Sequence, residues 1–406
     1  MAMSTESPTG STRGSGGAVT AVCVAILVDM LVYSIVVPVL PVYASELGAS
    51  TAAIGLLFAV YAVGLVLATP VLGMLSDRFG RRRPMLIGSA GLVVSTVLFA
   101  LADTYPLLVT ARFVQGVAAA AVWTAGVALV AEVTEPRNLG KVMGVVMTFM
   151  SVGLILGPPV GGFLEHWGNH STPFIVVTGV AVVSGIVQYF LIHDPERSGE
   201  TEELTPFGKL LANPVMRGTI IAVFLASTAL SMLEPILPLD LTTRLLAGPL
   251  AIGLVFGAAT LANGATSPFV GALSDRYPNG RRTLMAIGLI GAGVLMPLLI
   301  LPDSVFLVGV LLAIFAIGYG FVLVPALPEL ADVAQNTGVG YAAVYGAFNV
   351  AYSLGMAVGP LVGGVGAGWS LMSTLIVSGS VLGVGGLLFL FATTRQRQRS
   401  VVEAAA

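Results

Sequence analysis

The chain is 406 residues long, 56% hydrophobic and only 9% charged, with a mean hydropathy of +0.96 and a formal net charge of -2. So few charges cannot cover a water-facing surface of this size, which excludes an ordinary soluble globular class and leaves lipid as the solvent for most of the surface. The charge sum says nothing about partners, because only the distribution of charge matters; no nucleic-acid partner is expected, and the single cysteine, Cys23, lies in an apolar run where no internal disulfide can form.

A helix crossing a hydrocarbon core of about 30 Å needs roughly 20 mostly apolar residues. Cut at charge clusters and Gly/Pro breaks, the chain offers twelve such segments: 18–43, 52–75, 84–102, 105–133, 141–164, 172–192, 217–243, 250–273, 282–301, 304–331, 338–364 and 370–392. The first 17 residues are rich in Ser, Thr and Gly and lack the apolar core of a cleaved leader, so a disordered tail is expected there. Residues 193–216 form the most polar interior stretch, too short for a domain, and are expected to be a cytoplasmic linker. It would join a bundle over 18–192 to a second over 217–392, followed by a basic tail over 393–406. The predicted fold class is therefore an all-α membrane protein with twelve transmembrane helices in two pseudo-symmetric six-helix bundles. Lys and Arg accumulate in cytoplasmic loops. With the N-terminus inside, sixteen of the 18 basic residues fall on that side; Arg244 lies in an outer loop and Arg112 inside helix four. An odd helix count would carry the basic C-terminal tail outside, so both termini are predicted to be cytoplasmic.

The two halves are copies. Gly73 to Arg83 reads Gly-Met-Leu-Ser-Asp-Arg-Phe-Gly-Arg-Arg-Arg, and Gly271 to Arg282 reads Gly-Ala-Leu-Ser-Asp-Arg-Tyr-Pro-Asn-Gly-Arg-Arg. Pro38-Val-Leu-Pro41 is matched by Pro235-Ile-Leu-Pro238, and Gly157-Pro-Pro-Val-Gly-Gly162 by Gly359-Pro-Leu-Val-Gly-Gly364. Three pairs in the same order, each offset by about half the chain, imply a duplication of the kind many secondary transporters carry.

Three ionisable residues lie deep in the predicted helices: Asp29, Arg112 and Glu234. Such groups cost about 2.5–3.5 kcal/mol each at a helix centre even on the lenient insertion scale, and they are functional by default. A carboxyl group out of water can hold either a proton or an organic cation but not both, and that mutual exclusion suffices for antiport. A structural Asp29, bonded to a neighbouring helix, is the alternative. Arg112 sits seven residues from the outer end of its helix and Glu234 nine from the end of its own, so their depths differ by only about 3 Å at 1.5 Å per residue. The two are expected to pair across the halves as a gate or second proton site, unless Glu234 reaches toward the outer interface instead. Tyr341, Tyr345, Phe348 and Tyr352 share one face of helix eleven, with Asn349 beside them. That stripe either lines the cavity, where aromatic rings hold cations, or packs against a neighbour. Tyr33, one turn after Asp29, and Tyr61 are the better cavity candidates. In helix five, Gly153, Gly157 and Gly161 repeat at four-residue steps and give a smooth strip for close helix contact, loosened by Pro158 and Pro159.

With these residues in view, the whole chain resembles the major facilitator superfamily. Gly73 to Arg83 looks like that family's signature loop between helices two and three, Arg112-Phe-Val-Gln-Gly116 resembles its Arg-x-x-Gln-Gly element, and Gly153 to Gly162 looks like its antiporter motif. Asp29, Pro38, Pro41 and Glu234-Pro-Ile-Leu-Pro238 in their contexts resemble the vesicular monoamine transporters and related bacterial drug/proton antiporters. The resemblance implies a conformational latch built from Gly73, Asp77, Arg78, Gly80 and Arg81, although a purely topogenic role for the arginines fits equally. It also implies a seal at Gly153, Gly157, Pro158 and Gly161. Where vesicular amine carriers place a lysine in helix two and carboxylates in helices ten and eleven, Tyr61, Phe321 and Asn349 stand here. The expected proton-coupling set is thus Asp29, Glu234 and Arg112, and the expected substrate set is Asp29, Tyr33, Tyr61, Glu234, Phe321, Tyr345 and Asn349.

The function expected is a proton-coupled antiporter exporting amphipathic cationic organic molecules, of amine or multidrug type, as a monomer in the cell membrane. Neither cofactor nor metal is expected. A carrier for a neutral solute such as a sugar is the alternative, against which the deep acids argue. A membrane receptor or enzyme is the third reading; the sequence offers it no metal-ligand cluster and no phosphate-binding Gly-x-x-x-x-Gly-Lys-Ser/Thr loop, and the missing loop also argues against ATP as direct energy source.

Overall fold

A computed structural model describes residues 12–192, 213–337 and 341–405. Among these residues there are twelve helices long and apolar enough to cross a membrane. In chain order they are α1 (Thr12–Glu46), α2 (Thr51–Phe79), α3 (Arg82–Leu101), α4 (Tyr105–Val133), α5 (Pro136–Trp167) and α6 (Ser171–Leu191), then α7 (Pro214–Leu245), α8 (Pro249–Arg276), α9 (Arg281–Leu298), α10 (Val305–Thr337), α11 (Tyr341–Ala367) and α12 (Leu371–Ala405). The expected architecture of two six-helix bundles is the one observed.

Helix starts follow local chemistry. The Ser50 side chain accepts from Ala53 N at the head of α2, and Asn213 accepts from Val215 N and Met216 N at the head of α7, with Pro214 in the first turn. That cap starts α7 at Pro214, inside the stretch expected to be linker; residues 193–212 lie outside the described residues. Helix also extends beyond expectation at both termini. α1 already runs from Thr12, where Thr20 Oγ1 bonds Gly16 O, and α12 continues through the basic stretch to Ala405 because Arg and Gln are good helix formers. The first eleven residues of the expected tail are not described.

α1, α4 and α7 are the most enclosed spans. Each half repeats one close packing. In the first, the glycine strip of α5 lies on α1: a side chain at Gly157 would collide with Ser34 Oγ, while Ser34 Oγ donates to Gly153 O at 3.2 Å. In the second, α11 lies on α7 the same way, with Gly359 against Ser231 and Ser231 Oγ donating to Gly355 O at 3.1 Å.

The halves meet along two seams near the loops 47–50, 168–170, 246–248 and 368–370. Gly55 of α2 leaves no room for a Cβ beside the Pro360 carbonyl of α11, and Gly253 of α8 none beside the Pro158 carbonyl of α5. Main chain touches main chain at both seams. The opposite end carries the arginine-rich loops, and there Tyr345, Asn349 and Val350 on the first half of α11 are exposed.

Candidate functional site

The centre of the molecule holds a polar relay from one bundle to the other. Arg112 of α4 is fully buried. Its guanidinium carbon lies 4.9 Å from the Phe58 ring centre, 5.2 Å from Tyr61 and 5.6 Å from Tyr33. Its Nη1 donates to Gln115 Oε1 at 2.7 Å. Three aromatic faces stabilise the cation by about 0.5–2 kcal/mol each, in place of a carboxylate. Tyr33 and Tyr61 pack together with ring centres 4.9 Å apart, and the Tyr33 hydroxyl donates to Glu234 of α7, 3.0 Å from each carboxylate oxygen.

The direct Arg112–Glu234 pair expected from matching depth is therefore not formed. Tyr33 of α1 stands between them, its ring toward the arginine and its hydroxyl on the acid. Depth along a helix does not fix direction around it, and α1 occupies the space between α4 and α7. Glu234 is only partly buried, whereas Asp29 is fully buried one turn before Tyr33. Asp29 Oδ2 accepts from Trp123 Nε1 at 3.0 Å, and its Oδ1 has no hydrogen-bond partner. Trp123 lies eleven residues beyond Arg112 on α4, about 16 Å along the helix axis. Asp29 lies about 6 Å along α1 from Tyr33, so the two acids flank one turn of that helix and hold different partners.

The remaining expected site residues do not all join this cluster. The Cβ of Phe321 sits against Gly288 of α9, so its backbone faces a helix within its own half. Tyr345 and Asn349 are exposed near the start of α11. The aromatic stripe divides: Phe348 stacks on Tyr352 with centres 6.3 Å apart, and Tyr352 touches the Tyr319 hydroxyl at 3.4 Å, both against the core. The Tyr341 side chain is outside the described residues. Phe58, Gln115 and Trp123 were missed by the sequence reading, because nothing in an apolar run marks which way a ring or amide points.

At the basic end, Gly80 has φ of +88°, a conformation suited to glycine, and turns the chain out of α2. Arg81 then bonds Asp77 at 2.6 Å and Glu132 of α4 at 2.6 Å, while Gly73 lies near Thr124 of α4 and Arg78 covers the Phe79 ring at 5.4 Å. The second half repeats the device: Arg281 bonds Asp332, and both pairs span 51 residues. Glu132 was readable only through that repetition.

Twelve spans in two like halves, joined through an arginine–tyrosine–glutamate relay, define a multi-pass membrane protein. A family model described as the Major Facilitator Superfamily matches residues 22–239 and again 219–406, and the chain belongs to that superfamily. Among its relatives, the synaptic vesicular amine transporter of Rattus norvegicus is 28% identical over 317 residues, covering 77% of this chain and 60% of the relative. The chain thus spans less than two thirds of that relative's length. A probable vesicular acetylcholine transporter-B of Danio rerio is 30% identical over 359 residues, covering 84% of this chain and 72% of the other. In structure, a bacterial homolog of the human lysosomal transporter Spinster, in an inward-facing and occupied conformation, matches with a TM-score of 0.77 at 15% identity, over 95% of this chain and 98% of that one.

Proposed function

We propose that the chain is a proton-coupled antiporter that exports amphipathic organic cations by alternating access, with both termini cytoplasmic and the glycine seams on the outer side. The observation that carries this reading is the Tyr33–Glu234 hydrogen bond between the bundles, beside the caged Arg112. A partly buried acid held by a hydroxyl can give up that partner for a cationic guest, and the guest then takes the place of the contact between the halves. Asp29, enclosed on Trp123 with one oxygen unpartnered, is the group that exchanges a proton when the halves rock. Similarity to carriers named for amines and for acetylcholine supports a cationic cargo. The latch at Asp77 and Arg81 steadies the basic ends of α2 and α4, and Gly153, Gly157, Pro158 and Gly161 keep α5 on α1 and against α8.

The test is substrate-dependent proton release from purified protein with a panel of organic cations. Wild type releases protons as a cation binds, and Asp29→Asn binds cation with the release lost. Cation flux in proteoliposomes that runs undiminished in an Asp29→Asn/Glu234→Gln double variant, with no pH difference imposed, overturns the reading.

A further inference from the structure

The two halves differ at one corner. At the basic end α1 meets α6, where a Cβ at Gly17 would lie 3.7 Å from Leu191 Cδ2, and α7 meets α12, where a Cβ at Gly218 would lie 2.8 Å from Phe389 Cε2; the arginines beside these contacts are held differently. Arg82 donates from Nη2 to Tyr189 O at 2.8 Å, with its guanidinium carbon 5.0 Å from the Tyr189 ring centre. In the second half, the equivalent Arg282 directs its Nε to Glu329 at 2.6 Å, on α10. A cleft of about 290 Å³ remains between α7, α9 and α12. Its walls are Ile221, Leu225, Leu289, Leu388 and Phe389, and Arg217 and Arg282 line it as well. Arg217 lies in the first turn of α7, is exposed, and makes no ion pair among the described residues. Nothing in the relay or the seams uses this place.

An apolar trough that opens beside two guanidinium groups, at the level where a helix leaves the hydrocarbon, matches one kind of molecule in its surroundings. We propose that the cleft is a binding site for an anionic phospholipid, with the phosphodiester on Arg217 and Arg282 and one acyl chain against α7 and α12. Planar guanidinium groups suit phosphate oxygens, and basic pockets between transmembrane helices hold anionic headgroups. Charge decides the choice of lipid: Glu329 already pairs with Arg282 at 2.6 Å, so Arg217 supplies the net positive charge of the cleft, which repels the cation of a zwitterionic headgroup and attracts a headgroup with net negative charge. The inference stands apart from the transport reading, since it involves none of the residues placed in the relay.

The full-length protein is purified in detergent and mixed with phosphatidylglycerol or phosphatidylcholine of identical acyl chains, and bound lipid is counted by native mass spectrometry. Wild type is expected to retain phosphatidylglycerol about fivefold better for each arginine that contributes. Arg217→Gln is expected to bring the preference down by about that factor, while Arg83→Gln, which removes an exposed charge elsewhere on the basic end, leaves it unchanged. Equal retention of the two lipids by wild type overturns the proposal, as does an undiminished preference in Arg217→Gln. Displacement of the lipid by inorganic phosphate alone also overturns it, because the acyl chain would then contribute nothing. A dimer without lipid adducts would assign the cleft to a second copy and overturn it equally.

Discussion

Tyr33→Phe removes one oxygen from the centre of the molecule and nothing else. The ring stays beside Tyr61 and Arg112, at 4.9 and 5.6 Å, but the bond to Glu234 of the other half is lost. The hydroxyl lies 3.0 Å from both carboxylate oxygens yet carries one proton, so the loss is one hydrogen bond and not two, charge-assisted in the state where Glu234 is ionised. Such a bond contributes about 1.5–3 kcal/mol. At tenfold per 1.4 kcal/mol, the odds of the state in which the halves are joined at this point should fall by about 10- to 100-fold. Two spin labels on the seam end report it. Trp167 and Trp369 belong to opposite halves and are 80% and 91% exposed, so both accept a cysteine label once Cys23 is replaced by Ser. Tyr33→Phe should move the label distances toward a longer, separated population, and Glu234→Gln combined with it should add little, since both changes break one contact. Unchanged label distances in Tyr33→Phe would refute the view that this contact steadies the state described.

Trp123→Phe leaves Asp29 without its one hydrogen-bond donor and should lower thermal stability by about 1–3 kcal/mol; Asp29→Asn in the same background should recover part of that loss, as melting in detergent will show. Gly157→Leu drives a side chain into Ser34 and should cost about 3 kcal/mol or prevent accumulation of folded protein, whereas Gly144→Ala, with open space around the site, should melt no lower than wild type. Glu132→Gln removes an ion pair that is only partly shielded, so its effect should be about 1 kcal/mol at low salt and should shrink as salt is raised, read as the difference in Tm between the two conditions.

The spans were legible because an apolar run of membrane length has few other uses, and the doubling because three polar or Gly/Pro landmarks recur in order. Asp29, Arg112 and Glu234 stood out for the same reason: in so apolar a chain a deep charge is conspicuous. Partners were harder to read. Asp29 and Trp123 are 94 positions apart, and only the rotation and tilt of α1 against α4 bring the indole to the acid. Tyr33 was chosen for its spacing from Asp29, yet its hydroxyl turns away to Glu234 on another helix. Phe321 and Asn349 were aligned by position along the chain, but one has its Cβ against Gly288 and the other is exposed. Helix ends were underestimated because polar residues such as Thr12 and the terminal arginines continue a helix beyond the apolar span.

The seams between α2 and α11 and between α5 and α8 have a consequence for how the molecule moves. Backbone meets backbone there at Gly55, Gly162, Gly253 and Gly364, and Pro159 and Ile155 of α5 pack on Gly257 and Gly264 of α8, so the contact is made by dispersion without a charged side chain. The Tyr33–Glu234 contact at mid-membrane adds a polar link to that apolar packing, so a change at Glu234 acts on a joint whose other contacts are dispersive.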